Sequence, residues 1–275
     1  MPNAQPLASS IQHPASPYNW FPEYAPVYSL EDKVCVITGA TGGIGHALIR
    51  GLLLHGAKVC MVARNQASLL HLSQHLIDRF KNRITYQIAD FEVEAEVQAA
   101  ARAALAWQGR VDVLAHCAGV FGEGDWRDIP PSVMESVFRI NTLAPFIFCQ
   151  ELANSLIENQ GQVVFMGSSS VTTVAAQKTP YTVSKFAMKG LHESWRVEFN
   201  KLGVRTLAVY PGRTATEMQR KLHEGRGEAF EPQNLSQPED VAGTILHLLH
   251  MPRTSEVSEF HIRPASNWNG PGRAQ

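Results

Sequence analysis

The feature that most constrains this chain is an alternation that begins at Lys33. Short apolar, β-branched runs recur at Val34–Thr38, Val59–Ala63, Ile84–Ile88, Val111–Ala115, Val163–Met166, Arg205–Tyr210 and Val257–Ile262. Between them lie longer segments of helical period near 44–55, 66–80, 92–107, 132–158, 181–200 and 238–250. Runs that are apolar on both faces and joined by helices specify a parallel sheet covered on both sides. The expectation is an α/β fold, a doubly wound parallel sheet of about seven strands with helices on both faces. No linker divides the alternation, so residues 31–264 read as a single domain, and residues 265–275 read as a short tail.

Composition narrows the function. The 24 Lys and Arg nearly cancel the 25 Asp and Glu, leaving a formal charge of −1, and the charges form no block. Neither nucleic acid nor an anionic membrane is indicated as a partner, and a small molecule is expected instead. No apolar stretch approaches the roughly 20 residues of a membrane span, and the start of the chain lacks the layout of a signal peptide. Cys35, Cys60, Cys117 and Cys149 contain no CxxC pair. Three of them sit in apolar runs and read as reduced core thiols, which suits a cytoplasmic protein. Residues 1–30 differ from the rest, with six prolines, no Lys or Arg, and the aromatics Tyr18, Trp20, Phe21, Tyr24 and Tyr28. They read as a Pro-rich arm whose aromatic half lies on its own domain or on a neighbouring subunit, or else as a loose tail.

In an open parallel sheet, ligands collect beyond the carboxyl ends of the strands. Five places there carry signals. The stretch Thr38-Gly39-Ala40-Thr41-Gly42-Gly43-Ile44-Gly45 follows the first strand and opens the first helix, a placement in which backbone amides can approach a pyrophosphate. At the end of the second strand Ala63 occupies the place usual for a ribose-binding acid and Arg64 follows it, a pairing suited to a 2′-phosphate and hence to NADP; a solvated surface arginine is the alternative. Tyr181 and Lys185 stand four apart on a helix, where a cation favours phenolate and draws the Tyr pKa from about 10 towards working pH. The same spacing also occurs between mere neighbours on a wet face. Ser168, after the Val163–Met166 strand, could donate to a substrate carbonyl or simply belong to a Ser-rich turn. Pro211 and Gly212 fix a turn that leaves Thr214 and Thr216 free to bond a carboxamide.

Together these motifs, with Ala118-Gly119 and Asn141, resemble the short-chain dehydrogenase/reductase family over residues 33–264, in its shorter single-domain branch with a Rossmann-like sheet. Gly42 also permits the glycine spacing of the longer sugar-nucleotide epimerase branch. The separation of Ser168 from Tyr181 and the short remainder after Tyr181 favour the shorter one. The resemblance implies an NADP(H)-dependent oxidoreductase that interconverts a secondary alcohol and a ketone or aldehyde-type carbonyl, with the catalytic set Asn141, Ser168, Tyr181 and Lys185. Tyr181 would exchange the proton, Ser168 would hold the substrate oxygen, Lys185 would bond the nicotinamide ribose, and Asn141 would anchor a water leading to solvent. Cofactor contacts would come from Gly39, Thr41, Gly43, Ile44, Gly45, Arg64, Asp90, Phe91, Ala118, Gly119, Pro211, Gly212, Thr214 and Thr216. A homodimer or homotetramer through the 132–158 and 181–200 helices would fit relatives of this kind. The contrasting reading is a catalytically idle nucleotide sensor or scaffold on the same fold.

The chain departs from the family at His116-Cys117, where relatives carry a side-chain amide that ties neighbouring strands; an imidazole there can still donate and accept once each. Val120, Phe121, Val174, Gln177 and Met218 point to a partly apolar ligand. Glu217–Ser236 reads as a mobile substrate lid, with a plain loop as the alternative. Within 132–158, Pro145 cannot donate to the carbonyl of Asn141, which frees that carbonyl for a water or, as the alternative, merely bends the helix around the sheet. His71 and His75 have metal-binding spacing but no third ligand, so no metal is expected. Phe186, Met188, Leu191, Trp195, Val197 and Phe199 read as core or as a subunit face.

Overall fold

The computed structural model describes residues 28–265. Seven parallel strands form one sheet in the order β3-β2-β1-β4-β5-β6-β7. They are β1 Val34–Thr38, β2 Lys58–Ala63, β3 Ile84–Ile88, β4 Val113–His116, β5 Gln162–Met166, β6 Arg205–Pro211 and β7 Glu259–Ile262. Helices α1 Gly43–Leu54, α2 Gln66–Phe80, α3 Glu94–Gln108, α4 Pro131–Phe138, α5 Ala144–Glu158, α6 Thr179–Asn200, α7 Glu217–Gly225 and α8 Pro238–Leu249 supply the crossovers. Every residue of β1, β4 and β5 is buried, as a sheet covered on both faces requires. Alternate β1 side chains serve different layers. Cys35 and Ile37 pack with α1, α2 and α8 residues such as Leu48, Leu69 and Ile245. Val36 packs on the other face with α3, α5 and α6 residues such as Val97, Leu152 and Met188.

The strand order reverses between β1 and β4, and their carboxyl ends open the crevice that such a switch creates. Local chemistry fixes what surrounds it. The Asn65 side chain caps α2 by accepting the Ser68 N–H at 2.9 Å. Gln237 and Asp240 form a reciprocal cap at the start of α8, where Pro238 occupies the first turn.

The expected helix over 132–158 is divided. After α4 the chain widens into a π turn at Arg139–Leu143, and the Ala144 N–H reaches back to the Arg139 carbonyl. Pro145, with no N–H for the carbonyl of Asn141, stands directly after this turn, and α5 resumes from it. The region expected to be a lid is also more structured than a loop. It contains α7 and a short 3₁₀ turn at Pro232–Asn234, and its ends are joined by the parallel bridge of Thr214 to Ser236. Of the arm's aromatics only Tyr28 lies within the described residues. Its N–H donates to the His250 carbonyl at 3.0 Å, and its ring lies under Lys33 and Arg253, so this end of the arm packs on its own domain. The other four aromatics and the tail from Ser266 lie outside the described residues. The helical apolar set of α6 splits as well. Met188 and Phe199 are buried, Trp195 packs against Phe146 and Phe199, and Phe186 and Val197 are exposed.

Candidate active site

A cleft of about 450 Å³ runs across the carboxyl edge of the sheet. Its lining includes Gly39, Thr41, Gly43, Ile44, Gly45, Arg64, Asp90, Phe91, Ala118, Gly119, Ser168, Tyr181, Lys185, Pro211, Gly212, Thr214 and Thr216. Of the expected site residues, only Asn141 is not on this surface. It lies fully buried just beneath.

The glycine loop leaves room for a ligand because side chains would not fit. Gly39 has φ +66°, and a Cβ on it would stand 2.5 Å from the Ala118 nitrogen. A Cβ on Gly45 would meet the Gly39 carbonyl oxygen at 2.4 Å. Helix α1 follows Gly42 in the cap position, with no side-chain cap and no acid in its first turn. Its amide dipoles therefore face the cleft without a competing carboxylate. This donor set fits a dinucleotide pyrophosphate. Arg64, exposed on the rim beside Ala63, fits an added phosphate. Asp90 Oδ1 accepts the Glu92 N–H at 3.0 Å, and Phe91 packs towards Phe148 at a centroid distance of 6.2 Å.

At the other end stand the reactive side chains. Lys185 is 3% exposed, and its Nζ donates to the Met166 carbonyl at 2.8 Å. Burial draws its pKa down to about 8. The Lys185 Nζ lies 5.6 Å from the Tyr181 ring centroid. The Tyr181 hydroxyl is displaced in the direction opposite to the one its spacing from Lys185 implied. Enclosure by the cleft walls raises its pKa above the ordinary tyrosine value, and only the hydrogen bond with Ser168 pulls it down. Desolvation prevails because Lys185 directs its ammonium at a carbonyl of the sheet edge. Ser168 Oγ also accepts from the Ser170 N–H at 3.1 Å. The Asn141 side chain accepts the Val120 N–H at 2.8 Å and donates to the Val120 carbonyl and to Ser184 Oγ, both at 2.9 Å. It thereby pins the strand-end loop against α6. A Cβ on Gly119 would lie 3.3 Å from Asn141 Oδ1 and 3.6 Å from Lys185 Nζ, which brings those two side chains to a common point. Thr214 Oγ1 donates to the Gly212 carbonyl, and Thr216 Oγ1 caps α7 by accepting the Gln219 N–H.

His116 does not take over the strand-tying role. Its ring is buried, Nε2 meets Cys149 Sγ at 3.3 Å, and Nδ1 has no partner. Thr38 Oγ1 accepts the Ala118 N–H at 3.2 Å and so links β1 to the end of β4 instead. Burial holds the His116 pKa down at about 3.

Val120, Phe121 and Met218 line the cleft, whereas Val174 and Gln177 do not, and Val174 is 66% exposed. Sequence reasoning missed Lys178, Arg213, Leu222, His223 and Arg226, which also line it. The helical period of α7 was the signal that could have found Leu222 and His223. Cys117 is a wall residue as well, its thiol pushed up to about 12 by burial. The loop after β4 is joined to the opposite wall by an ion pair of Glu123 with Arg226, and to the approach to α6 by the Gly124 N–H on the Gln177 carbonyl at 2.9 Å.

The family model described as short chain dehydrogenase matches residues 33–227. The chain belongs to this family. It is 30% identical over 229 residues to the D-threitol dehydrogenase of Mycolicibacterium smegmatis, covering 80% of this chain and 87% of that one. Among solved structures, a metagenomic short-chain oxidoreductase in complex with NADP superposes with a TM-score of 0.74 at 26% identity, over 86% of this chain and 99% of that one. The alcohol dehydrogenase from the archaeon Thermococcus sibiricus, complexed with 5-hydroxy-NADP, gives a TM-score of 0.78 at 23% identity, over 86% of this chain and 98% of that one. The doubly wound sheet is therefore the family's fold. His71 and His75 lie on α2, outside the active-site cleft. Their rings touch at 4.3 Å, and no group of three metal-ligating side chains occurs among the described residues. No helix of the described residues is long and apolar enough to cross a membrane.

Proposed function

We propose that the protein is an NADP(H)-dependent oxidoreductase interconverting a secondary alcohol and a ketone or aldehyde-type carbonyl. The observation that carries this reading is the convergence of Ser168, Tyr181 and Lys185 at one end of a cleft whose other end is a capless glycine loop with Arg64 on its rim. The NADP complex of the metagenomic relative adds support for the cofactor. When bound, the reduced nicotinamide supplies a hydride, two electrons with one proton, to the carbonyl carbon.

Tyr181 gives its hydroxyl proton to the carbonyl oxygen, and Ser168 donates a hydrogen bond to that same oxygen. The raised Tyr181 pKa keeps the phenol protonated in the structure, the form that reduction uses. Lys185, whose pKa of about 8 puts its titration within reach of neutral pH, bonds the nicotinamide ribose and returns a proton towards Tyr181. Asn141, in the widened turn before Pro145, would offer its main-chain carbonyl to a water connecting Lys185 to solvent. Gly39, Thr41, Gly43, Ile44 and Gly45 hold the pyrophosphate and Arg64 the 2′-phosphate. Asp90 and Phe91 meet the adenine, Ala118 and Gly119 allow close approach, and the turn from Pro211 through Thr216 meets the carboxamide. Helix α7 acts as a moving wall over the substrate. The chain acts as a homodimer or homotetramer, a reading supported by Val183, Phe186 and Val197, exposed on α6 by 40%, 46% and 53%.

The test is NADPH consumption against a panel of neutral ketones, quinones, keto-esters and aldehydes. Turnover of at least one class is expected, and its absence across the panel would overturn the reading.

A further inference from the structure

Charge in the substrate half of the cleft is not balanced. Of the acids lining it, Glu217 is paired with Arg220 and Lys221, and Glu228 lies 3.8 Å from His223, an ion pair only when that imidazole is protonated. Arg226 pairs with Glu123 across the mouth. Lys185 is committed to the Met166 carbonyl. Apart from Arg64 at the cofactor end, two lining cations remain without an ion-pair partner among the described residues, Lys178 and Arg213.

Lys178 is the better placed of the two. It is half-buried at the start of α6, three residues before Tyr181, whereas Arg213 is exposed. Its Nζ lies 5.7 Å from the Phe121 ring centroid, and the Phe121 ring lies 4.5 Å from that of Tyr181. The order along the wall is therefore phenol, aromatic face, ammonium. A half-buried ammonium with no carboxylate partner favours a ligand that brings its own negative charge. The aromatic face beside the phenol favours a flat, apolar body between the carbonyl and that charge.

We infer that the substrate is an aryl carbonyl compound carrying a carboxylate about one ring's width from the carbonyl, with Lys178 binding the carboxylate and Phe121 stacking on the ring. This inference rests on the oxidoreductase reading above and names its substrate class.

The experiment measures kcat/KM for NADPH oxidation with 4-acetylbenzoate and 3-acetylbenzoate, each against its methyl ester, in the wild-type protein, Lys178→Met and Lys178→Arg. The readout is the acid-to-ester ratio within each protein, which a general loss of activity does not move. The wild-type ratio should favour the acid, by about tenfold or more if the contact is charge-assisted. It should collapse towards unity in Lys178→Met and recover in part in Lys178→Arg. Esters turned over as well as acids, or a ratio unchanged in Lys178→Met, would overturn the anionic assignment while leaving the oxidoreductase reading in place. No NADPH consumption with either member of either pair, together with none across the neutral panel, would overturn both.

Discussion

Replacing His116 by Asn should make the protein more resistant to acid, by an amount the structure sets. In the folded chain the imidazole is held neutral by burial, with a pKa of about 3 against the ordinary histidine value of 6.5. The unfolded chain therefore binds a proton that the folded chain refuses, and stability falls as pH drops from about 6.5 towards 3. Between pH 7.5 and pH 5 that difference corresponds to about 2 kcal/mol, a large share of a typical 5–15 kcal/mol stability. Asparagine has no such titration, and its amide can still fill the space beside Cys149. Urea unfolding of both proteins at the two pH values measures the effect. The wild-type protein should lose about 2 kcal/mol more than His116→Asn on acidification. Equal losses would mean that His116 is not held neutral by the fold, and the reasoning from its burial would fail.

Other outcomes follow from the cleft. Arg64→Ala should weaken NADPH binding by roughly tenfold to a hundredfold while leaving NADH binding nearly unchanged, as read by fluorescence titration of both cofactors; unchanged NADPH affinity would remove Arg64 from the 2′-phosphate site. Gly45→Ala should abolish cofactor binding, since the new Cβ would stand 2.4 Å from the Gly39 carbonyl oxygen. By contrast, Gly243→Ala on the exposed side of α8, where a Cβ meets nothing within 4 Å, should raise thermal stability by about 0.5–1 kcal/mol. Pro145→Ala should alter the pH–rate profile, because restoring an N–H there lets a regular helical bond claim the Asn141 carbonyl; an identical profile would count against the water path.

The sheet was legible in the sequence because strands buried on both faces leave continuous apolar runs, and all seven strands fall within two residues of their expected limits. At β7 the expectation began at Val257, two residues before the ladder starts at Glu259. The glycine loop, Tyr181 and Lys185 were legible because each sits at a fixed offset from a strand end or along a helix. Three things were not. The π turn at Arg139–Leu143 depends on where one helix packs over the sheet, which a helical period does not encode. The direction of the Tyr181 shift depends on enclosure by distant segments, which only the assembled cleft supplies. Lys178 carries no motif, and its interest comes from a balance of ion pairs among residues far apart in sequence. His116 was noticed as a departure, but its pairing with Cys149 across to α5 required the packed core.

The central claim is that Tyr181 transfers the proton, and Tyr181→Phe tests it most directly, since only the hydroxyl is removed. Turnover should be measured with the best carbonyl substrate beside NADPH binding by fluorescence. The account predicts retained NADPH binding and a kcat lower by the roughly 10²–10⁴-fold that general acid/base catalysis supplies. A variant that keeps more than a few per cent of kcat while binding NADPH normally would contradict it.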